Sequence, residues 1–193
     1  KNYALDDAMM VIADDEAVRG IAGVMGGEAS GCGPDTVNVF LEVALFDPIR
    51  VAEAGRKLGI LSDARYRFER GVDPTSADWG AEIATRMILG HCGGEASALV
   101  AAGEMPSWQK SVPLRTSRTL SLGGVDIAVD AQTAILTRLG FDTRRDGNVI
   151  HTDVPPWRPD IDGEADLVEE VLRIHGYDMI PIMSLPRETA IPL

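Results

Sequence analysis

The amino-acid sequence predicts an α+β protein of two modules: a larger mixed α/β one, in which a β-sheet carries flanking helices, and a smaller one of helix, two-stranded wing and helix. Three observations carry that prediction. Val37–Phe46 is a nearly continuous apolar run, as in a strand covered on both faces, and apolar residues cluster at helical spacing in Leu167, Val168, Val171 and Leu172. Asp-Pro pairs and later glycines punctuate helices, at Asp47-Pro48 with Gly59 and at Asp73-Pro74 with Gly90. Between the modules, Gly103–Pro113 is polar, holds two prolines and shows no period, which reads as a linker.

The elements follow in order. Ala8–Ala13 and Ala17–Met25 read as strands joined by a turn at Asp14–Glu16, a hairpin. Gly26–Asp35 carries glycines and a proline and reads as a loop. Val37–Phe46 is the strongest strand signal. A helix from Asp47-Pro48 to about Lys57 comes next, then a short one capped by Ser62-Asp63 and running through Glu69. The helix after Asp73-Pro74 should turn Ala77, Ile83, Ala84, Met87 and Ile88 to a core and stop at Gly90. In the second module, Asp130 is placed as cap of a helix Ala131–Leu139 closed by Gly140. Phe141–Arg145 and Asn148–Val154 flank Asp146-Gly147, a strong hairpin signal. Pro155-Pro156 leads in extended form to a last helix, about Gly163–His175, closed by Gly176.

Composition bounds the function. The chain has 193 residues, 45 % hydrophobic and 25 % charged, as expected of a soluble globular protein. No apolar run approaches the roughly 18 residues that span a bilayer, and no leader opens the chain, so a cytoplasmic protein without membrane contact is expected. Cys32 and Cys92 lack C-x-x-C spacing and are expected as free thiols, a disulfide being the alternative. His91, His151 and His175 are scattered, which disfavours zinc. The net charge is −12, with 10 basic against 17 acidic residues up to Pro113 and 8 against 13 beyond it. Neither half offers a basic face for a phosphate backbone. The locally basic Arg50, Arg56, Lys57, Arg65, Arg67 and Arg70 are interleaved with Glu53, Asp63 and Glu69 and read first as a salt-bridged surface.

Two sets of carboxylates stand out. Asp166, Glu169 and Glu170 fall at i, i+3 and i+4, on one helical face, with Asp160 just upstream. Like charges so placed cost about 0.2–0.5 kcal/mol per pair. Either the helix dipole and Arg173 offset them, or a hard cation does, magnesium before calcium. The second is Glu42, the lone ionisable group in a strand apolar on both faces. A buried carboxylate there needs an ion-pair partner or a shifted pKa.

The motifs around these acids resemble a known family. The segment Trp157–Tyr177, WRPDIDGEADLVEEVLRIHGY, with GIAGVMGGE at Gly20–Glu28, NVFLEVALFDP from Asn38 and SDARYRFERGVDP from Ser62, is similar to the beta subunit of bacterial phenylalanyl-tRNA synthetase. The resemblance covers essentially the whole chain. It implies an N-terminally truncated editing (tRNA-binding) module over residues 1–102, a linker at 103–113, a winged-helix-like module of the DNA-binding type with an acidic metal-site helix over 114–185, and the start of a further linker at 186–193. In the family, the positions of Asp160, Asp166, Glu169 and Glu170 hold magnesium shared with an alpha subunit. Those of Gly26, Glu42, Ser62 and Ala64 line a pocket that hydrolyses tyrosyl-tRNA(Phe), Glu42 accepting the tyrosine hydroxyl. Relatives often carry threonine at Ser62, and the family also uses a histidine upstream of anything present here. The implied partners are the alpha subunit, in an alpha2-beta2 assembly, and tRNA(Phe). ATP is used by the holoenzyme and is not expected to bind this chain, which should be inactive alone. The alternatives are a nucleic-acid-binding module acting through the winged-helix-like part, or a non-catalytic scaffold.

Overall fold

The computed structural model describes residues 1–184, and the chain divides into two compact units, Lys1–Trp108 and Gln109–Leu193. Leu185, the last residue expected in the second module, and 186–193, the expected further linker, lie outside the described residues. Each unit carries helices and a three-stranded antiparallel sheet, so the architecture is α+β.

The first unit opens with β1 (Val11–Ala13) and β2 (Val18–Ile21), antiparallel as the hairpin reading required. The second strand does not run on to Met25. Gly23 takes a positive φ of 68°, and the chain turns there to give β3 (Met25–Gly26), which pairs back on β2. A side chain at Gly23 would be strained by that φ, and its Cβ would lie 2.9 Å from Val51. A single 3-10 turn, Glu28–Ser30, interrupts the loop that follows.

The expectation for 37–46 fails. This segment forms no strand, and its apolar side chains lie open, Val37 at 89 % and Phe40 at 93 % exposure. A strand needs a neighbour to satisfy its N–H and C=O groups and to cover its faces. Among the described residues no strand pairs with this segment, so an apolar run alone does not bury it. Only its end is anchored: Phe46 meets Phe68 edge-on at 5.0 Å between ring centroids.

Helix α1 (Pro48–Leu58) starts and stops as the sequence indicates. Asp47 accepts hydrogen bonds from the N–H groups of Ile49 and Arg50 at 2.9 and 3.0 Å, and Gly59 closes the helix in the left-handed conformation. Helix α2 (Asp63–Phe68) is capped by Ser62, whose Oγ accepts from the Arg65 N–H at 3.1 Å. Met9, Val24, Val51, Ala54 and Ile60 form the core between these elements.

Helix α3 (Ser76–Cys92) departs from expectation at both ends and in its packing. Asp73 folds into a local turn, accepting from Thr75 N–H and Oγ1 at 2.8 and 2.7 Å, so the helix starts after it. Gly90 stays helical, and Gly93, at φ 69°, is the terminator. Of the expected core residues, Ile83 and Met87 are exposed while Ala77, Ala84 and Ile88 are half-buried; Ala81 is the one buried residue of the helix. The apolar period is present, but no described sheet lies against it.

In the second unit, Ser111–Pro113, expected in the linker, open β4 (Ser111–Arg115). The sheet order is β4-β6-β5, with β5 at Asp142–Asp146 and β6 at Val149–Asp153, so the two-stranded wing gains a third strand. Bonds flanking the ladder, Val154 N–H to Lys110 C=O and Thr116 N–H to Asn148 C=O, leave Pro113 opposite His151 in a non-hydrogen-bonded pair. Its missing N–H therefore faces the open edge. The hairpin turn lies one residue later than Asp146-Gly147: Asp146 pairs with Val149, and Gly147, at φ 56°, and Asn148 are the central residues.

A short α4 (Arg118–Ser121) precedes α5 (Val129–Arg138). Asp130 does not cap α5. Ala128 holds that place, and Asp130 sits in the first turn, 3.5 Å from Arg145. Helix α6 (Glu164–His175) buries Leu167, Val168, Val171 and Leu172 against Leu114, Leu136, Phe141 and Ile150, as its apolar stripe requires. Each fully buried side chain of this size contributes about 1.5–3 kcal/mol.

Candidate functional site

A cavity of about 990 Å³ opens in the first unit. Its walls come from the β1–β2 hairpin, the glycine turn, the extended segment ending at Phe46, and α2. Three of the four residues expected to line a pocket, Gly26, Glu42 and Ala64, lie on its wall. Phe40, Phe46 and Phe68 join them, so the surface offers aromatic contact beside one carboxylate.

Ser62 is not on that wall. Its Oγ donates to the Val24 carbonyl at 2.6 Å while capping α2, so it ties the helix to a residue that does line the cavity. Glu42 is exposed rather than buried, and among the described residues no cation pairs with it. The ion pair expected of a buried Glu42 is not formed among the described residues, and neither is the strand that would bury it. Gly26 has open space where a Cβ would stand. The crowded glycine beside it is Gly27, whose Cβ would fall 2.5 Å from the Arg19 carbonyl. Arg19, which sequence reading passed over, also lines the cavity and is held by Asp14 at 2.5 Å and Glu16 at 3.0 Å. That pairing and two backbone N–H groups hold the Asp14 carboxyl down to about 2. The partners of Arg19 lie only five and three residues upstream, and the turn of the hairpin folds them back onto it.

Three of the six residues in the basic stretch, Lys57, Arg65 and Arg70, have partners. Arg65 is buried, donating to the Ile60 carbonyl at 2.7 Å and to Glu69 at 2.9 Å. Arg70 stacks on Tyr66 at 3.7 Å and reaches Glu69 at 3.1 Å, and Lys57 pairs with Asp6.

In the second unit, Asp160 and Glu170 share one arginine, Asp166 turns to backbone N–H groups, and Glu169 joins neither set. Asp166 accepts from the backbone N–H groups of Asp162 and Gly163 at 2.9 and 2.8 Å, closing the N-terminus of α6. Arg158 grips Asp160 through Nε at 2.8 Å and Nη2 at 2.6 Å, and donates to Glu170 through Nη1 at 2.9 Å. Arg173 donates to Glu170 at 2.6 Å. Glu170 is buried, which pushes its pKa up, but the two guanidinium groups outweigh that and hold it below the ordinary carboxylate range. Hydrogen bonding to Arg158 likewise lowers Asp160. Glu169 points to solvent. Among the described residues, no three His, Cys, Asp or Glu side chains converge on a point where a metal could sit. The set as arranged does not fit a magnesium ion; arginine and backbone donors already answer the like-charge crowding.

A fifth acid, Glu164, opens α6. It accepts from the Arg115 N–H at 2.8 Å, from that guanidinium at 2.9 and 2.6 Å, and lies 3.0 Å from Arg118 Nε. The Arg115 contacts hold its carboxyl down to about 2. Cys32 and Cys92 are exposed free thiols, and no described helix is long and apolar enough to cross a membrane.

Comparison with known proteins matches the two units to two domains. Residues 1–93 fit the B3/4 domain and residues 112–177 the tRNA synthetase B5 domain. The chain is 53 % identical over 189 residues to the phenylalanine–tRNA ligase beta subunit of Rhodospirillum rubrum, covering 97 % of this chain and 24 % of that protein. It is 54 % identical over 189 residues to the beta subunit of Ruegeria pomeroyi, 98 % of this chain and 23 % of that one. Against Brucella suis the figures are 47 % over 191 residues, 99 % and 24 %. With both domains present in order and about a quarter of each relative's length spanned, the chain belongs to the bacterial phenylalanine–tRNA ligase beta-subunit family.

Proposed function

We propose that the chain serves as part of a phenylalanine–tRNA ligase beta subunit and that the cavity of its first unit is an editing pocket for tyrosyl-tRNA(Phe). The observation that carries this reading is the joint placement of Gly26, Glu42 and Ala64 on one cavity with three phenylalanines. Its volume of about 990 Å³ is at the upper end of the roughly 300–1,000 Å³ typical of small-molecule sites. The chemistry is asymmetric. A synthetic site shaped for a phenyl ring rejects an added hydroxyl weakly, whereas a site with an acceptor for that hydroxyl selects it strongly. Glu42 supplies the acceptor, and the phenylalanine rings supply the apolar walls. No nucleophile–base pair stands in the cavity among its described lining residues, so hydrolysis proceeds by a positioned water, with catalysis from orientation.

The same reading supplies the partners: an alpha subunit in an alpha2-beta2 assembly, which holds ATP and attaches phenylalanine, and tRNA(Phe), all in the cytoplasm. The chain alone is inactive. The family resemblance implies magnesium at Asp160, Asp166, Glu169 and Glu170, but their arrangement in this chain does not fit the ion, and it forms no part of this proposal. The second unit reads as a winged-helix-like module, supported by its α5, β5–β6 hairpin and α6 order. Its excess of acids over bases favours a role in protein assembly over one in gripping nucleic acid.

Glu42→Ala in the full-length beta subunit, assembled with its alpha subunit, tests the pocket. Deacylation of tyrosyl-tRNA(Phe) should fall by at least tenfold while phenylalanine charging is unchanged. Deacylation at the wild-type rate would remove Glu42 from the site.

A further inference from the structure

We infer that Arg158 is the built-in counter-cation of the acidic cluster, so the second unit closes its Pro155–Gly163 loop onto α6 without a metal. The acids could be read as a cation site from spacing, but the geometry is that of a guanidinium at their centre. Arg158 uses three nitrogens on two acids that come from different segments, Asp160 in the loop and Glu170 two turns into α6. The grip on Asp160 is bidentate, the arrangement in which guanidinium recognises carboxylate best.

Burial makes the pairing consequential. The side chain of Glu170 is 9 % exposed and that of Arg158 20 %, so each would be costly to leave alone. Arg158 also lies over the ring of Phe141, 5.8 Å from its centroid, and Phe141 is in the core of the unit. The loop thus gains one fixed point through Ile161, which is buried, and a second through Arg158. Arg173 completes the neutralisation of Glu170 from the next turn of the helix. A cation entering between Asp160 and Glu170 would have to displace the guanidinium that already joins them. Lysine cannot replace it fully, because one ammonium cannot hold Asp160 bidentately and reach Glu170 as well.

Hydrogen-exchange mass spectrometry on the whole chain, read in peptides covering residues 157–175, tests the assignment. In the wild type, exchange should be the same with excess magnesium chloride and with EDTA. Arg158→Met should speed exchange in these peptides by about ten- to a hundred-fold, the range for losing hydrogen bonds to a buried charge. Arg158→Lys should recover part of the protection. Should Arg158→Met fail to fold, Glu170→Gln and the double variant Arg158→Lys/Glu170→Gln supply a cycle in which the two effects must be non-additive. Slower wild-type exchange with magnesium than with EDTA would overturn the assignment, and so would additive effects or full protection in Arg158→Lys. A result against Arg158 leaves the editing reading of the first unit untouched, since that is measured by deacylation.

Discussion

Glu164→Gln should make the second unit less stable at neutral pH and leave it unchanged in acid. Glu164 joins the start of α6 to β4 through Arg115 and to α4 through Arg118. Its carboxyl has an ordinary pKa of 4.5 and is held at about 2 in the folded chain. A folded pKa below the unfolded one means that the charged form is favoured by folding. The stabilisation is therefore complete above about pH 4.5 and drains away as the pH falls towards 2. At roughly 1.4 kcal/mol per pH unit, the gap between 4.5 and about 2 sets a ceiling of about 3 kcal/mol. Glu164 is 17 % exposed but Arg115 is 63 % exposed, so water screens much of the attraction and about 1–2 kcal/mol is the working expectation. Glutamine keeps an acceptor for the Arg115 N–H, so the difference isolates the charge. Urea unfolding followed through the amide NMR signals of Leu114 and Leu167 at a series of pH values reads it out. The gap between wild type and variant should close between about pH 4.5 and pH 2. An equal gap at pH 7 and in acid refutes the electrostatic account and leaves a packing effect.

Two further substitutions probe the cores. Leu167→Ala, at a fully buried position on α6, should cost about 2–5 kcal/mol in the same unfolding assay, and a loss under 1 kcal/mol would mean the helix does not seat as described. Gly55→Ala puts a Cβ 2.3 Å from Cδ of Arg65, so Arg65 must leave the Ile60 carbonyl and Glu69. Thermal melting should show a loss of about 1–3 kcal/mol, and Arg65→Ala in the same chain should relieve the clash; no change in either variant would contradict the close approach of α1 and α2.

Much was legible along the chain because it is decided locally. Asp47-Pro48 and Gly59 delimit α1 through bonds made within a few residues of each other. The stripe Leu167, Val168, Val171 and Leu172 has one side to bury whatever it meets. The long motifs carried family membership, since identity of sequence needs no geometry. Partnership across the chain was not legible. The apolar, β-branched run over 37–46 states a preference for strand, and only a neighbouring strand turns that into a buried sheet; none pairs with it among the described residues, so Glu42 stands exposed. The helical period of α3 likewise gained a single buried residue. The carboxylates of α6 show the same division. Their spacing put Asp166, Glu169 and Glu170 on one face, a consequence of 3.6 residues per turn. Whether that charge is met by an ion, a backbone or a guanidinium depends on where the loop before the helix brings Arg158, twelve residues from Glu170 along the chain and 2.9 Å from it in space.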